Sequence, residues 1–470
     1  MQPNLIFIDS YKHSHPKQYP SAMRQLSSYI EPRKGKEIVF FGLQVFLKEV
    51  LAKPITTADV DFAEKYLIPH GVPFERSRWD SIVRNYNGFL PLVINAVPEG
   101  TVSDSGNMQV QVVNHPSAPE MAWLGQAIET KLLRAIWYPS TVATISRNMK
   151  KIIRQGLVET SDLDPDQEVK FKLHDFGARG VSSCESATLG GMAHLISFLG
   201  TDTSEALPAA DYFYKAGVAG FSIPAMEHST VTSWGDSELA EKSAYSNMIE
   251  LYGGDGKLYA CVSDSQDIWR AVDKIWSKEL KNKVISKGGT LVVRPDSGDP
   301  LTVPIQVIER LMLGFGWTVN SKGYRVLPSC IRVIQGDGID QHSLPKIIEN
   351  MKLAGLSLDN IAFGMGGGLL QHVNRDTFGY AMKASAINFD VEHPKWYDVY
   401  KNPVGGKASK AGLLDVNPEK GTYKVHPYSD GTYPPEGSSM ITVYEHRRDW
   451  IQPTIKETTF EEIRKRAAIV

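Results

Sequence analysis

From about residue 165 to 385 the chain repeats one pattern: a short apolar run, then a polar, Gly-rich or acidic turn. FKL runs into HDFGARG, LISFL into GTDT and YACV into SDSQD. TLVV leads to RPDSGDP, IRVI to QGDGID and IAF to GMGGG; GFSIPAMEHST, around 220 to 230, has the same form. Short unbroken apolar runs of this kind predict strands buried on both faces. Between them the apolar spacing becomes helical. In SELAEKSAYSNMIELY, Ser237 is the expected N-cap, and Ala240, Ala244, Met248 and Leu251 share one face. In SLPKIIENMKLAG, Ser343 is the expected N-cap and Gly355 lies just past the helix end.

Strand, turn and helix alternating at intervals of roughly 25 to 40 residues predict βα units and a parallel sheet. Six or seven such units favour an irregular, closed, TIM-like βα barrel over an open sheet. In a barrel the turns gather at the C-terminal ends of the strands, where active sites sit. Residues from 176 to 367 are therefore expected around a single pocket. The chain ends read differently. PLVINAVPEG, NMQVQVVNHP and GTYKVHPYSDGTYPPEGSSMITVYEH look like antiparallel strands joined by turns. The expected organisation is an α/β fold: a barrel over 161–387, and a discontinuous α+β sheet domain over 1–160 and 388–470.

Composition narrows the function classes. The chain has 470 residues, ample for two or three domains. Its 51 basic and 53 acidic residues leave no global field to attract nucleic acid or a membrane surface. Cys184, Cys261 and Cys330 are far apart and form no CxxC, which argues against a disulfide framework or a cysteine zinc site. No apolar run approaches the roughly 20 residues of a membrane helix. The start, MQPNLIFIDSYKH, reads as neither signal peptide nor anchor. A cytoplasmic enzyme is the expectation.

DFG, within HDFGARG, is also a protein-kinase string. A kinase carries a Gly-rich loop, a strand lysine and HRDxxxxN ahead of it. None precedes Asp175, and no GxxxxGK[ST] occurs, so the kinase reading is set aside. FGMGGGLLQ, Phe363 to Gln371, has three consecutive glycines between a strand and a helix, which suits a backbone cradle for phosphate. QGDGID, Gln335 to Asp340, is a second Gly-rich strand end, and barrel phosphate sites are often built by the last two βα loops. RPDSGDP sets Arg294 two residues from Asp296: a planar fork for phosphate or a polar ring, and an acceptor for sugar hydroxyls or water-bound Mg²⁺. Asp202 and Asp264 with Asp296 and Asp337 would place four carboxylates round one mouth. Unpaired they repel, so a cation or a hydroxyl-rich ligand is expected; a ribose phosphate with Mg²⁺ meets that need. His228 sits where it could titrate near neutrality. His13 and His15 read as a solvated loop. KNPVGGKASKAG, Lys401 to Gly412, is either a surface loop or a lid whose ammonium groups meet a pyrophosphate.

Taken together, DSYKHSHPKQYP, HDFGARGVSS, GTDT, SIPAMEHST, SDSQDI, VVRPDSGDP, VIQGDGID and FGMGGGLLQ resemble the nicotinamide phosphoribosyltransferase family. They fall in the family's order and span residues 9 to about 412. The resemblance implies a dimeric type II phosphoribosyltransferase with active sites shared between subunits. Its reaction joins nicotinamide to 5-phosphoribosyl-1-pyrophosphate, giving nicotinamide mononucleotide and pyrophosphate for NAD salvage.

By the same resemblance, Phe176 stacks on one face of the pyridine and Tyr11, from the second subunit, on the other, with Asp9 beside it. Asp202 accepts the carboxamide N–H. Arg179 and Arg294 line the base and ribose, Asp296 takes the ribose hydroxyls, and Ser222 and Asp264 belong to the same substrate pocket. Gly336, Asp337, Gly366 and Gly367 hold the 5′-phosphate side. Arg375 also contacts substrate, and Arg33, Arg375, Lys383, Lys401 and Lys407 are pyrophosphate candidates. His228 matches a histidine phosphorylated by ATP to couple hydrolysis to turnover. No direct metal ligand is implied; Mg²⁺ travels with the phosphoribosyl pyrophosphate. Ala178 departs from the family's Tyr between Gly and Arg, and the lysine loop is short. The alternatives are a nicotinate phosphoribosyltransferase, which Asp202 disfavours because a carboxylate repels a carboxylate, and a non-catalytic phosphosugar-binding barrel.

Overall fold

The computed structural model describes residues 5–404, 408–419, 422–428 and 434–469. Two compact units emerge, the first made chiefly of residues 145–211 and 217–373. Its centre is a six-stranded sheet built from β1 (Leu173–Asp175), β2 (Gly200–Thr201), β3 (Leu258–Val262), β4 (Thr290–Arg294), β5 (Ile331–Gln335) and β6 (Ile361–Met365). The order is β2-β1-β6-β5-β4-β3, every neighbouring pair parallel. Both outer strands bond the irregular segment 221–226. On one side Thr201 N–H donates to Phe221 O (3.0 Å) and Phe221 N–H to Leu199 O (2.7 Å). On the other, Ala260 N–H donates to Pro224 O and Met226 N–H to Ala260 O, both at 2.9 Å.

Period-2 alternation divides each strand between two environments. Odd-numbered residues, among them Leu173, Tyr259, Cys261, Leu291, Val293, Ile331, Val333, Ile361 and Phe363, are buried. Even-numbered residues point to the other face and are small near the middle: Ala260, Val292, Ala362, Gly364. The run LISFL is not a strand. Leu195 ends helix Cys184–Leu195, and only Gly200–Thr201 pairs with β1.

Helix Glu238–Tyr252 starts as expected, with Ser237 Oγ accepting from Ala240 N–H. Its buried face differs: Glu241, Ala244, Tyr245, Met248 and Ile249 are inward, while Leu251 is exposed. Burial of Glu241 is possible because Tyr245 Oη and Arg270 Nη2 donate to it at 3.0 and 2.9 Å. Helix Ser343–Leu353 takes Ser343 as its first residue rather than its cap, since the Asp340 carboxylate accepts from His342 and Ser343 N–H. Gly355 follows at φ +64°, as a left-handed helix terminator does.

Residues up to 144, 212–216 and 374–468 make the second unit. Its main sheet has seven antiparallel strands, in the order Trp396–Asp398, Ala381–Asn388, Gln25–Glu31, Val110–Asn114, Leu92–Ala96, Ile441–Glu445, Thr454–Ile455. Both chain ends thus meet in one sheet. Residues 374–387, grouped with the barrel on sequence, fall here because Ala381–Asn388 pairs with Gln25–Glu31 over its whole length. Tyr29, Phe40, Trp79, Trp123 and Tyr444 anchor a large apolar core.

Candidate active site

The even-numbered face of the parallel sheet lines a cavity of about 1220 Å³. That exceeds the ~300–1,000 Å³ of an ordinary small-molecule pocket. Phe176, Arg179, Asp202, Ser222, Arg294, Asp296, Gly336, Asp337, Gly366 and Gly367 all border it. Those ten positions were expected together, and they come from five different strand ends and the segment 221–226. The cavity runs on between the strands, past Ala225, Ala260, Val292, Ile334 and Ala362, to Lys172, Thr290, Ser329 and Asp359 at the strands' N-terminal ends.

The Phe176 ring is held from behind. Phe176 N–H bonds Met365 O at 3.0 Å. Asp175, buried under the turn, accepts from Gly177 N–H at 2.7 Å. Burial pushes the Asp175 carboxyl up to about 6, against the lowering effect of Thr203 and Gly177. Behind the ring lie Gly364 and Gly336, where an added β-carbon would come within 2.0 and 3.3 Å of Phe176 Cε2.

At the mouth, the Asp202 and Asp296 carboxylates each have a partner. Ser222 Oγ donates to Asp202 Oδ1 at 2.5 Å. Arg294 Nη1 donates to Asp296 Oδ1 at 2.5 Å, and its Nη2 to Met226 O at 3.2 Å. Asp264 does not border the cavity. It is buried and lies beneath His228 (Nε2 to Oδ1, 3.1 Å), while its Oδ2 accepts from Asp296 N–H (3.1 Å) and Ser297 Oγ (2.6 Å). His228 Nδ1 faces Asp296 Oδ2 at 3.9 Å and is half exposed. Three of the four acids thus have local partners: a serine for Asp202, an arginine for Asp296 and a histidine for Asp264.

The glycines of FGMGGG have separate tasks. Gly364 serves the Phe176 ring, whereas Gly366 and Gly367 border the cavity, and a β-carbon on Gly367 would meet nothing nearer than 3.7 Å. Gln335 Nε2 ties Asp337 O at 2.8 Å, shaping the neighbouring turn.

Asp9, Tyr11, Arg33, Arg375, Lys383 and Lys401 belong to the antiparallel unit. Thr130 Oγ1 donates to Asp9 Oδ2 at 2.7 Å; Tyr11 is 61 % exposed. Burial lowers the Lys383 pKa, Glu129 opposes it, and Arg33, Lys401 and Arg375 lower it further. A cluster of four cations is the arrangement an anion would neutralise. Lys407 lies outside the described residues.

Two cavity residues escaped sequence reasoning. His174 borders it beneath Asp202, its Nε2 against Phe171 O at 3.0 Å, and burial lowers its pKa. Lys172, buried, donates to Leu358 O, Ile361 O and Asp359 O at 2.9, 3.1 and 3.4 Å. Counting every second residue back from Phe176 would have found both.

Residues 171–427 match the model of the nicotinate phosphoribosyltransferase (NAPRTase) family, and residues 4–94 that of the nicotinamide phosphoribosyltransferase N-terminal domain. The chain is 45% identical to the nicotinamide phosphoribosyltransferase of Xanthomonas campestris pv. campestris (strain 8004), over 98% of this chain and 97% of that one. It is 30% identical to the protein of the same name from Acinetobacter baylyi, over 98% and 96%. Among solved structures, human nicotinic acid phosphoribosyltransferase superposes with a TM-score of 0.57 at 16% identity, covering 98% of this chain and 93% of the human one. That last likeness is one of fold.

Proposed function

The chain belongs to the nicotinate phosphoribosyltransferase family, and from that premise we propose that it joins nicotinamide to 5-phosphoribosyl-1-pyrophosphate, yielding nicotinamide mononucleotide and pyrophosphate. It is a phosphoribosyltransferase of NAD salvage. The observation that carries the choice of substrate is the company Asp202 keeps: Phe176, Arg294 and Gly367 border the same cavity. One stacks, one accepts from an amide, one forks to a sugar phosphate, one admits a phosphate near backbone. We read the sheet and its bonded segment 221–226 as an irregular barrel.

The chemistry asks for little proton transfer. Breaking the bond between C1 and pyrophosphate builds positive charge on the ribose and negative charge on the leaving group. The pyridine nitrogen carries no proton to lose, so no general base is needed. Stacking on Phe176 aligns that nitrogen with C1, and alignment supplies much of the acceleration. Asp296, held by Arg294 and by its own N–H to Asp264, is placed for the ribose hydroxyls. Arg179 borders the base region.

Mg²⁺ bound to the substrate's pyrophosphate would stabilise charge on the leaving group. At the mouth Asp296 and Asp202 each have one oxygen engaged, so the substrate would supply most of the metal's ligands. Arg33, Arg375, Lys383 and Lys401 are assigned to pyrophosphate, with Lys407 as a fifth candidate. We assign His228 as the acceptor of a phosphoryl group from ATP, with Asp264 orienting its ring. A homodimer in the cytoplasm, with Tyr11 and Asp9 of the partner subunit completing each site, completes the reading.

The test is direct. Labelled nicotinamide, phosphoribosyl pyrophosphate and Mg²⁺ should yield nicotinamide mononucleotide and pyrophosphate, with nicotinate a poor substitute. Equal or better turnover of nicotinate would move the chain to the rival activity.

A further inference from the structure

Resting on the nicotinamide reading, we propose that Asp175 is a positioning residue, a single buried side chain that sets the spacing between the Phe176 ring and the Asp202 carboxylate. Phe176 and Asp202 border the cavity; Asp175 does not. It is the last residue of β1 and has no exposed surface. Its partners in the sheet are Met365 of β6 on one side and Thr201 of β2 on the other.

Asp175 reaches both turns. Its Oδ1 accepts from Gly177 N–H at 2.7 Å, on the residue directly after Phe176. Its main-chain O accepts from Asp202 N–H at 2.9 Å. The hydroxyl of Thr203, directly after Asp202, is close enough to draw the Asp175 pKa down against burial. Yet Asp175 Oδ2 and Thr203 Oγ1 are both buried, and neither has a hydrogen-bond partner among the described residues. Each can satisfy the other, since a hydroxyl donates and a carboxylate accepts. Neither turn can back away. A β-carbon on Gly177 would fall 2.6 Å from Leu370 Cγ and 3.1 Å from Asp175 Oδ1. On the far side Thr203 is pressed on helix Cys184–Leu195, where a β-carbon on Gly191 would come within 3.0 Å of Thr203 Cγ2. A site is held to its productive geometry by such supports behind the residues that touch substrate.

The main-chain bond survives any substitution, so variants test the side-chain arms alone. Asp175→Ala cuts both. Nicotinamide KM should rise about ten-fold, the size of one lost bond to a charged group. The value of kcat should fall as well, because the pyridine nitrogen is no longer aligned with C1. KM for phosphoribosyl pyrophosphate, set by residues not bonded to Asp175, should move less than about two-fold. Asp175→Asn keeps the shape, an acceptor for Gly177 N–H and a donor for Thr203 Oγ1, so its nicotinamide KM should stay within about three-fold of the parent. Burial already pushes the carboxyl up to about 6, so a neutral amide costs little in its place. Thr203→Val cuts only the far arm, and adding it to Asp175→Ala should make nicotinamide KM no worse.

Melting temperatures show which variants are folded; should Asp175→Ala not fold, Thr203→Val against Asp175→Asn decides by the same split between the two substrates. Equal losses for both substrates, or an Asp175→Asn enzyme as poor as Asp175→Ala, would overturn the proposal. Amide exchange reads the same spacing without turnover. Asp175→Ala should quicken exchange in both 174–180 and 200–206 and leave 331–335 at the parent's rate. Quickening in one turn alone ends the proposal. If the unmodified enzyme makes no nicotinamide mononucleotide, the functional reading fails by itself, and amide exchange then decides whether Asp175 spans the two turns.

Discussion

Gly364 on β6 lies flat beneath Phe176, so close that a β-carbon on the glycine would fall 2.0 Å from Cε2 of the ring and 2.1 Å from Cδ2. Ring and strand are cut to each other's shape. The Phe176 backbone is tied to the same strand through Met365 O, so the ring has no room to retreat. Gly364→Ala must therefore push the aromatic face into the cavity. Overpacking of this kind costs about 1–3 kcal/mol. We expect a lower melting temperature and a nicotinamide KM raised at least about ten-fold. A variant with ordinary kinetics would show that the ring's position does not matter.

His228 sits on the Asp264 carboxylate but does not border the cavity. His228→Ala should leave turnover without ATP within a few-fold of the parent and abolish stimulation by ATP. The matching measurement is acid-labile, base-stable phosphate on the protein after exposure to labelled ATP, which the variant should lack. Stimulation that persists in the variant removes the phosphohistidine assignment.

Lys383 shares its surroundings with Arg33, Arg375 and Lys401. Like charges held together favour an incoming anion, and its binding should weaken with salt. Lys383→Met should raise KM for phosphoribosyl pyrophosphate about ten-fold and flatten its dependence on ionic strength, with KM for nicotinamide little changed. Equal effects on both substrates would refute a pyrophosphate role.

Glu99, fully buried, is pushed up to about 7 by desolvation, even though it accepts from Gln44 N–H and Tyr214 Oη. The folded chain thus holds this proton more tightly than the unfolded chain, where the ordinary value is 4.5. Stability from this group is complete below about 4.5 and is lost as pH rises through 7. At about 1.4 kcal/mol per pK unit the loss is roughly 3 kcal/mol. Glu99→Gln should not show it. Melting curves at pH 5.5 and 8.5 should therefore converge or cross between the two proteins; parallel curves would contradict the assignment.

Much of the parallel unit could be read from sequence because its strands are short apolar runs ended by conspicuous turns. Five of the seven runs that preceded such turns do end in strands; LISFL and GFSIPAMEHST do not. LISFL misled because a helix ending and a strand beginning look alike over five apolar residues, and only Gly200–Thr201 pairs. The rim residues were legible too, since turns at strand ends must meet at one face. Pairing at the rim was not. Asp264 looked like a fourth acid on the mouth and is instead a buried support for His228, because nothing in SDSQD records which way the side chain turns. The three-glycine run looked like one phosphate cradle, yet the glycine two residues before it answers to Phe176, nearly two hundred positions upstream. Such demands are set by tertiary contact and leave no local trace.

Residues 221–226 form an irregular stretch bonded to both outer strands of the parallel sheet and carry Ser222, with His228 just beyond. They are stitched to β2 and β3 by a few backbone bonds rather than by a full ladder. Local opening favours segments with few such bonds. The free protein should thus breathe early along this stretch of the cavity border, exchanging amide hydrogens there soonest. Filling the cavity would then clasp the wall, tying substrate affinity to the tightness of one frayed hem.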